Sequence, residues 1–345
     1  MKNHFGLIEK TERLEPLSRA DAELLMEELL SGRIETHDIV RLLEALNRRQ
    51  IHPAELSGFA SVMRKHATAV FVSSETRVDN LIDTCGTGGD GAGAFNISTA
   101  SAFVAAAAGA RVAKHGNRSV SSRCGSADVL EALGARIDLP LELSGQAIRE
   151  LGIGFLFAPA AHAATRHAVP ARKQIGKRTV FNLLGPLTNP ATAEFHVLGV
   201  FSPDYLDLLA ATLLELGVRR AFVVHGAGGL DEISPAGATR VAEVRDGTIS
   251  HFTVTPEDFA LPRAPLEALR GGGPQENAAL IRNIFDGEGG PRRNVVVLNA
   301  AAALVVSGLA GDFREAARLA TKVISSGAAK EKLEQLVAFT TTHSS

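Results

Sequence analysis

The 345-residue chain has no tryptophan, one tyrosine and only two cysteines, Cys85 and Cys124. Two cysteines build neither a disulfide framework nor a zinc cluster, and they suit a reduced, cytoplasmic protein. No Cys-His-Asn arrangement surrounds either one, so both read as space fillers and not as nucleophiles. Neither sign of charge predominates: 36 Lys+Arg against 38 Asp+Glu leave a formal net charge of -2. Such a surface sets up no global field toward nucleic acid, and any anion must be held by local groups. Long hydrophobic runs are missing too. Ser101 to Ala113 is apolar but too short to cross a bilayer, and it reads as a buried helix. Met1 to Phe5 lacks the apolar core of a signal peptide. Neither a nucleic-acid nor a membrane partner is expected.

Glycine is plentiful, at 33 residues, and 45% of the chain is hydrophobic. This composition suits helices packed closely on a sheet, with loops where backbone must approach a ligand. Residues 1–72 read as a small all-helical domain. Ser18 is a candidate cap with Asp21 behind it, Ile39, Leu42, Leu43 and Leu46 form an apolar stripe, and Pro53 suits a helix start. From 78 to 345 short apolar runs alternate with helical stretches. Candidate strands are Asn80 to Ile82, Phe155 to Phe157, His196 to Val200, Ala221 to Val224 and Asn294 to Leu298. Candidate helices are Ser98 to Ala108, Ala127 to Leu133 and Tyr205 to Leu216. The fold class is therefore α/β, with a mainly parallel sheet covered by helices. Ligands bind such sheets at the carboxyl ends of strands.

Four segments carry candidate chemistry. In Asp83 to Thr99 a strand ending at Ile82 is followed by a loop with five glycines and then a helix start. Glycines let N–H groups turn inward as an anion nest, and a helix start adds free N–H groups and partial positive charge. Asp90, Asn96, Ser98 and Thr99 enrich it. The pattern is neither a Walker A loop nor a dinucleotide fingerprint. Lys114 to Ser122 packs two cations, an amide and several hydroxyls into nine residues, which suits a charged, oxygenated ligand. Asp231-Glu232, after the strand-like Ala221 to His225, repel each other unless a cation sits there; magnesium takes one or two carboxylates plus phosphate oxygens. Arg172 offers a fork for a carboxylate. His115 and His162 read as packing or hydrogen-bonding groups, because no carboxylate lies nearby in sequence.

Taken together these motifs resemble the anthranilate phosphoribosyltransferase family. The resemblance runs through Gly86 to Gly91, Phe95 to Ala100, Lys114 to Ser119, Gly125 to Gly134, Phe181 to Pro190 and Gly229 to Ser234. It implies a small helical domain, joined by a helical segment near 165–190, a large α/β domain with the active site in the interdomain cleft, and a homodimer formed through the helical domain. It implies transfer of phosphoribosyl from phosphoribosyl pyrophosphate to the amine of anthranilate, in tryptophan biosynthesis. Carried over by position, the donor falls to Gly86, Gly89, Asp90, Asn96, Ile97, Ser98, Thr99, Lys114, Ser122 and Ser126. Anthranilate falls to Gly86, His115, Asn117 and Arg172, and Mg2+ to Ser98, Asp231 and Glu232. Lys114, Asp231 and Glu232 become the catalytic group.

The chain departs from the family's pattern at Ala94, which lacks a usual hydroxyl, at Ala163 and Thr165, which replace a Pro and a larger Met or Tyr, and at Asn47-Arg48-Arg49-Gln50. A pyrimidine nucleoside phosphorylase shares this fold, but the segment His115 to Arg118 and the Asp231-Glu232 pair argue against it. A non-catalytic nucleic-acid-binding relative is disfavoured by balanced charge and by the intact pair.

Overall fold

A computed structural model describes residues 4–119 and 123–343. Four helices open the chain: α1 (His4–Glu12), α2 (Arg19–Leu30), α3 (Thr36–Asn47) and α4 (Pro53–Lys65). Ser18 caps α2: its hydroxyl accepts from the Asp21 N–H at 3.1 Å, and the Asp21 carboxylate accepts from the Ser18 N–H at 3.4 Å. Such a capping box is worth about 1 kcal/mol. The α3 stripe of Ile39, Leu42, Leu43 and Leu46 is fully buried, and Pro53 sits in the first turn of α4.

The remainder runs β1 (Leu81–Gly86), α5 (Ile97–Ala107), β2 (Arg111–Gly116), α6 (Ser126–Ala132), α7 (Leu141–Leu151), β3 (Ile153–Phe157), α8 (Ala158–Ala161), α9 (Val169–Ile175) and α10 (Val180–Leu184). Then come β4 (Phe195–Gly199), α11 (Leu206–Glu215), β5 (Arg220–His225), β6 (Thr239–Arg245), β7 (Thr248–Val254), α12 (Pro274–Phe285), α13 (Pro291–Val306), α14 (Phe313–Ser325) and α15 (Ala328–Thr342). The seven strands form one sheet in the order β3-β2-β1-β4-β5-β6-β7. The first five are parallel and the last two antiparallel. One core joins α5, α13, α14 and α15 to one face. The other joins α11 and the N-terminal helices to the opposite face, and Ala168, Ala171, Val180 and Phe181 of the α9–α10 segment share it. A small helical unit on a larger α/β unit is thus the architecture. No helix among the described residues is long and apolar enough to cross a membrane.

Several local expectations need correction. β1 does not stop at Ile82: Asp83 to Gly86 pair with His196 to Gly199 of β4, so the loop begins at Thr87. The buried run Ser101 to Ala113 is not all helix, because Gly109, at φ 104°, ends α5 and the chain returns as β2. Lys114 and His115 therefore stand on a strand. Asn294 to Leu298 lie inside α13; a fully buried Val-rich run satisfies helix and strand alike, and periodicity does not separate them. The β6–β7 hairpin was not expected.

Candidate active site

β1 lies between β2 and β4, so connections leave it in opposite directions and a crevice opens at its carboxyl end. The loop from Thr87 to Asn96 occupies that crevice. Gly88, Gly89, Gly91 and Gly93 have φ between 62° and 77°, the left-handed region that glycine alone adopts without strain. Thr87 N–H donates to the Gly199 carbonyl at 2.9 Å, and Gly88 N–H to Asp231 Oδ2 at 2.9 Å. At the far end Ala94 bridges Arg270, and Gly271 N–H donates to the Gly93 carbonyl at 2.9 Å.

α5 begins under this loop without a side-chain cap. Asn96, in the cap position, instead donates to the Cys124 carbonyl at 3.2 Å and accepts from Asn277 at 2.9 Å. Ile97 is buried and anchors the turn. Ser98 N–H faces Glu232. The Thr99 hydroxyl is buried with no partner among the described residues. Uncapped N–H groups and an orphaned hydroxyl beside a glycine nest are what an incoming phosphate satisfies.

Lys114 reaches the same place from β2. The residue is 3% exposed, and its ammonium donates to the Thr84 carbonyl at 2.6 Å and to Ser98 Oγ at 3.4 Å. Burial pulls its pKa down, while Asp83 foremost, and Glu232 after it, hold it up. His115 is buried edge-on against His162, with centroids 5.2 Å apart. Burial drives the two rings to about 3 and about 4, so both are neutral and neither serves as an acid near pH 7. Asn117 Oδ1 accepts from Arg118 N–H at 2.7 Å, and the Ser126 hydroxyl donates to the Asn117 carbonyl at 3.3 Å.

Opposite Lys114 the loop after β5 brings in Asp231 and Glu232. A Cβ on Gly86 or Gly199 would run into Asp231, so both glycines make room for it. Asp231 N–H lies 3.5 Å from Asp90 Oδ2. Burial, then the charge of Asp90, raises the Asp231 carboxyl to about 7. Burial, then Asp231, raises Glu232 well above its usual range, with Lys114 opposing. Asp90, Asp231, Glu232 and Ser98 line the same cleft; carboxylates that repel one another and a hydroxyl are hard oxygen donors of the kind magnesium takes.

One cleft of about 690 Å³ is lined by Gly86, Gly89, Asp90, Asn96, Ile97, Ser98, Thr99, Lys114, His115, Asn117, Ser126, Asp231 and Glu232. Three of the four sequence segments thus converge, and two predicted site residues are not among the lining. Ser122 lies outside the described residues. Arg172 does not line the cleft: it sits on α9, in the segment packed with the helical unit, stacked over Phe181 at 5.1 Å, its pKa lowered by burial. Thr165, in the turn that precedes α9, donates its hydroxyl to the His162 carbonyl at 2.7 Å.

Sequence reading missed Arg178, Asn182 and Asn277, which also line the cleft, and gave Thr87, inside the glycine loop, no role of its own. Asn182 stood in a quoted motif but had no role; nothing around Asn277 marked it. Asp83 reads as the first residue of the glycine loop, but the structure places it fully buried on β1. With Cys85 and His196 it places three ligand-type atoms within 4.8 Å of one another, yet its carboxylate already accepts from Asn189 at 2.8 Å and from His115 N–H at 3.2 Å. It braces β1 to β2.

The chain matches the glycosyl transferase family at two places, its helical bundle domain over residues 6–67 and its a/b domain over 78–330. It is 52% identical over 325 residues to the anthranilate phosphoribosyltransferase of Desulfosudis oleivorans, covering 94% of this chain and 95% of that one. It is 51% identical over 322 residues to that of Myxococcus xanthus, covering 93% and 94%. Among solved structures, the anthranilate phosphoribosyltransferase of Thermus thermophilus superposes with a TM-score of 0.91 at 47% identity, covering 97% and 99%. The Saccharomyces cerevisiae enzyme in complex with PRPP and Mg gives 0.89 at 26% identity, covering 98% of each.

Proposed function

The chain belongs to the anthranilate phosphoribosyltransferases and transfers phosphoribosyl from phosphoribosyl pyrophosphate to the amine of anthranilate, a step of tryptophan biosynthesis, and we propose that it does so, with Mg2+, in the cleft between the glycine loop and the Asp231-Glu232 pair. The observation that supports this placement is the convergence of nest, buried lysine and carboxylates on one 690 Å³ space. The donor's pyrophosphate lies along Gly86 to Asp90 and the start of α5, with Asn96, Ile97, Ser98, Thr99, Lys114, Ser122 and Ser126. Mg2+, held by Ser98, Asp231 and Glu232, neutralises charge on the pyrophosphate. Lys114 stabilises the negative charge that grows on the leaving group as its bond to the ribose breaks. The amine is already a neutral nucleophile, so a strong acid-base residue is not required, consistent with neutral His115 and His162; the proton that the amine sheds on forming its bond to the ribose passes to the departing pyrophosphate. Gly86, His115 and Asn117 line the acceptor's approach. Arg172 takes its carboxylate once the helical unit closes on the cleft, and closure excludes water. Holding both reactants in place can supply about 7–11 kcal/mol.

Loss of anthranilate fluorescence with phosphoribosyl pyrophosphate and Mg2+ tests this. Consumption is expected, and EDTA is expected to stop it. Full activity in EDTA contradicts the magnesium role, and no consumption with Mg2+ contradicts the acceptor. We also infer a cytoplasmic homodimer joined through the helical unit. The resemblance supports the dimer, and Phe5 and Leu14 are exposed apolar side chains on the helical unit; a monomeric mass by light scattering would overturn it.

A further inference from the structure

Arg178 stands on the short link between α9 and α10, at the rim of the cleft. Its Nη2 donates to the Gly89 carbonyl, and its guanidinium carbon lies 4.0 Å from the centroid of the Phe201 ring. Neither partner is a carboxylate, so neither neutralises its charge. Its own backbone carbonyl accepts from Asn47 Nδ2 at 2.8 Å, and Asn47 is the last residue of α3 in the helical unit. It also borders a second cavity of about 580 Å³, shared with Asn47, Phe201 and Tyr205.

A run of glycines adopts many shapes, and holding one of them is entropically costly. The peptide unit is planar and trans, so its C=O and N–H point in opposite directions. Fixing the Gly89 carbonyl on Arg178 turns the Asp90 N–H the other way. The neighbouring Gly88 N–H is fixed at Asp231. The loop is therefore pinned on both sides, by a cation on a carbonyl and by a carboxylate on an N–H. A side chain at Gly89 would collide with the guanidinium, so the close approach depends on glycine there.

We infer that Arg178 is a positioning residue for the phosphoribosyl donor, holding the Gly89–Asp90 peptide in the orientation that presents the loop to pyrophosphate, and that Asn47 ties this orientation to the helical unit. The inference rests on the reading of the glycine loop as the pyrophosphate site. Through the Asn47 contact, movement of α3 against the α/β unit reaches the loop directly.

The test measures KM for each substrate, kcat, and binding of magnesium pyrophosphate in the full-length protein and in R178M, R178K, N47A and K114M. R178M is expected to raise KM for phosphoribosyl pyrophosphate about tenfold and to weaken pyrophosphate binding in step, with KM for anthranilate changed less than about twofold. R178K keeps the charge but not the planar fork, and is expected to fall between R178M and the parent. N47A is expected to shift the donor KM in the same direction by about threefold. A donor KM within about twofold of the parent in R178M, or equal rises for both substrates, overturns the inference. If R178M does not fold, R178K and N47A are read against the same criterion, and an unchanged donor KM in either overturns it. K114M separates the two levels. If K114M leaves pyrophosphate binding intact, the site reading itself fails; if K114M loses binding and R178M does not, only the role of Arg178 falls.

Discussion

Replacing Asp231 with Asn removes a charge at nearly constant volume. The Asn carbonyl can still accept from Gly88 N–H, now 2.9 Å from Oδ2, so the loop should keep its shape. Activity and stability should then move in opposite directions. Loss of one electrostatic group acting on the departing charge costs about 10²–10³ in kcat. Stability of the unliganded protein should rise, because burial and Asp90 hold Asp231 at about 7 against an ordinary 3.8. Three pH units correspond to ~4 kcal/mol; the carboxylate lines an open cleft, and solvent screening reduces this to ~1–2 kcal/mol. In a chain of 345 residues that is a rise in Tm of about 1–3 °C. The sign follows from a raised acid pKa. The folded state binds more protons than the unfolded one, so this group's contribution is intact below 3.8 and is lost as pH rises toward 7. The Tm difference between D231N and the parent should be near zero around pH 4 and largest above pH 7. Scanning fluorimetry across pH, paired with the anthranilate assay, measures both. Turnover near the parent's would refute the metal role, and a Tm lowered at pH 8 would refute the repulsion.

Arg172→Ala should raise KM for anthranilate by about tenfold and leave that for the donor within about twofold; equal effects in steady-state kinetics would argue against carboxylate recognition. Asn189→Ala should cost about 2–3 kcal/mol in denaturant unfolding, because Asn189 donates to both Asp83 and the Ala113 carbonyl at 2.8 Å in a fully buried setting; a loss below about 0.5 kcal/mol would contradict that brace. Gly199→Ala should displace the Asp231 backbone, which a Cβ there would meet. Turnover should fall while far-UV circular dichroism is retained, and normal turnover would show that the carboxylate pair tolerates the shift.

The parts of the site that follow from local chemistry were legible before any coordinates. A glycine loop before an uncapped helix, a cluster of donors and a carboxylate pair each carry their meaning within about ten residues, and the cleft collects them. The helical unit was legible for the same reason, since its stripes and caps are local signals. What was lost depends on long-range pairing. Asp83 to Gly86 read as loop because the glycine that follows them dominates locally, yet pairing with β4 makes them strand. Lys114 was placed after a helix, because Ala-rich sequence gives no sign of Gly109 ending α5. The Val-rich run of α13 is apolar on all sides and therefore has no period to read. Arg178 and Asn277 act through partners 89 and 181 residues away, and no spacing rule reaches that far.

The central claim is that donor and magnesium meet between the Gly86–Asp90 loop and the Asp231-Glu232 pair. A crystal soaked with phosphoribosyl pyrophosphate and Mn2+, a magnesium substitute with anomalous signal, tests it directly. Pyrophosphate density along the loop is expected, with an anomalous peak bridging it to the Asp231 and Glu232 carboxylates. Donor density elsewhere, or a peak away from both carboxylates, would contradict it.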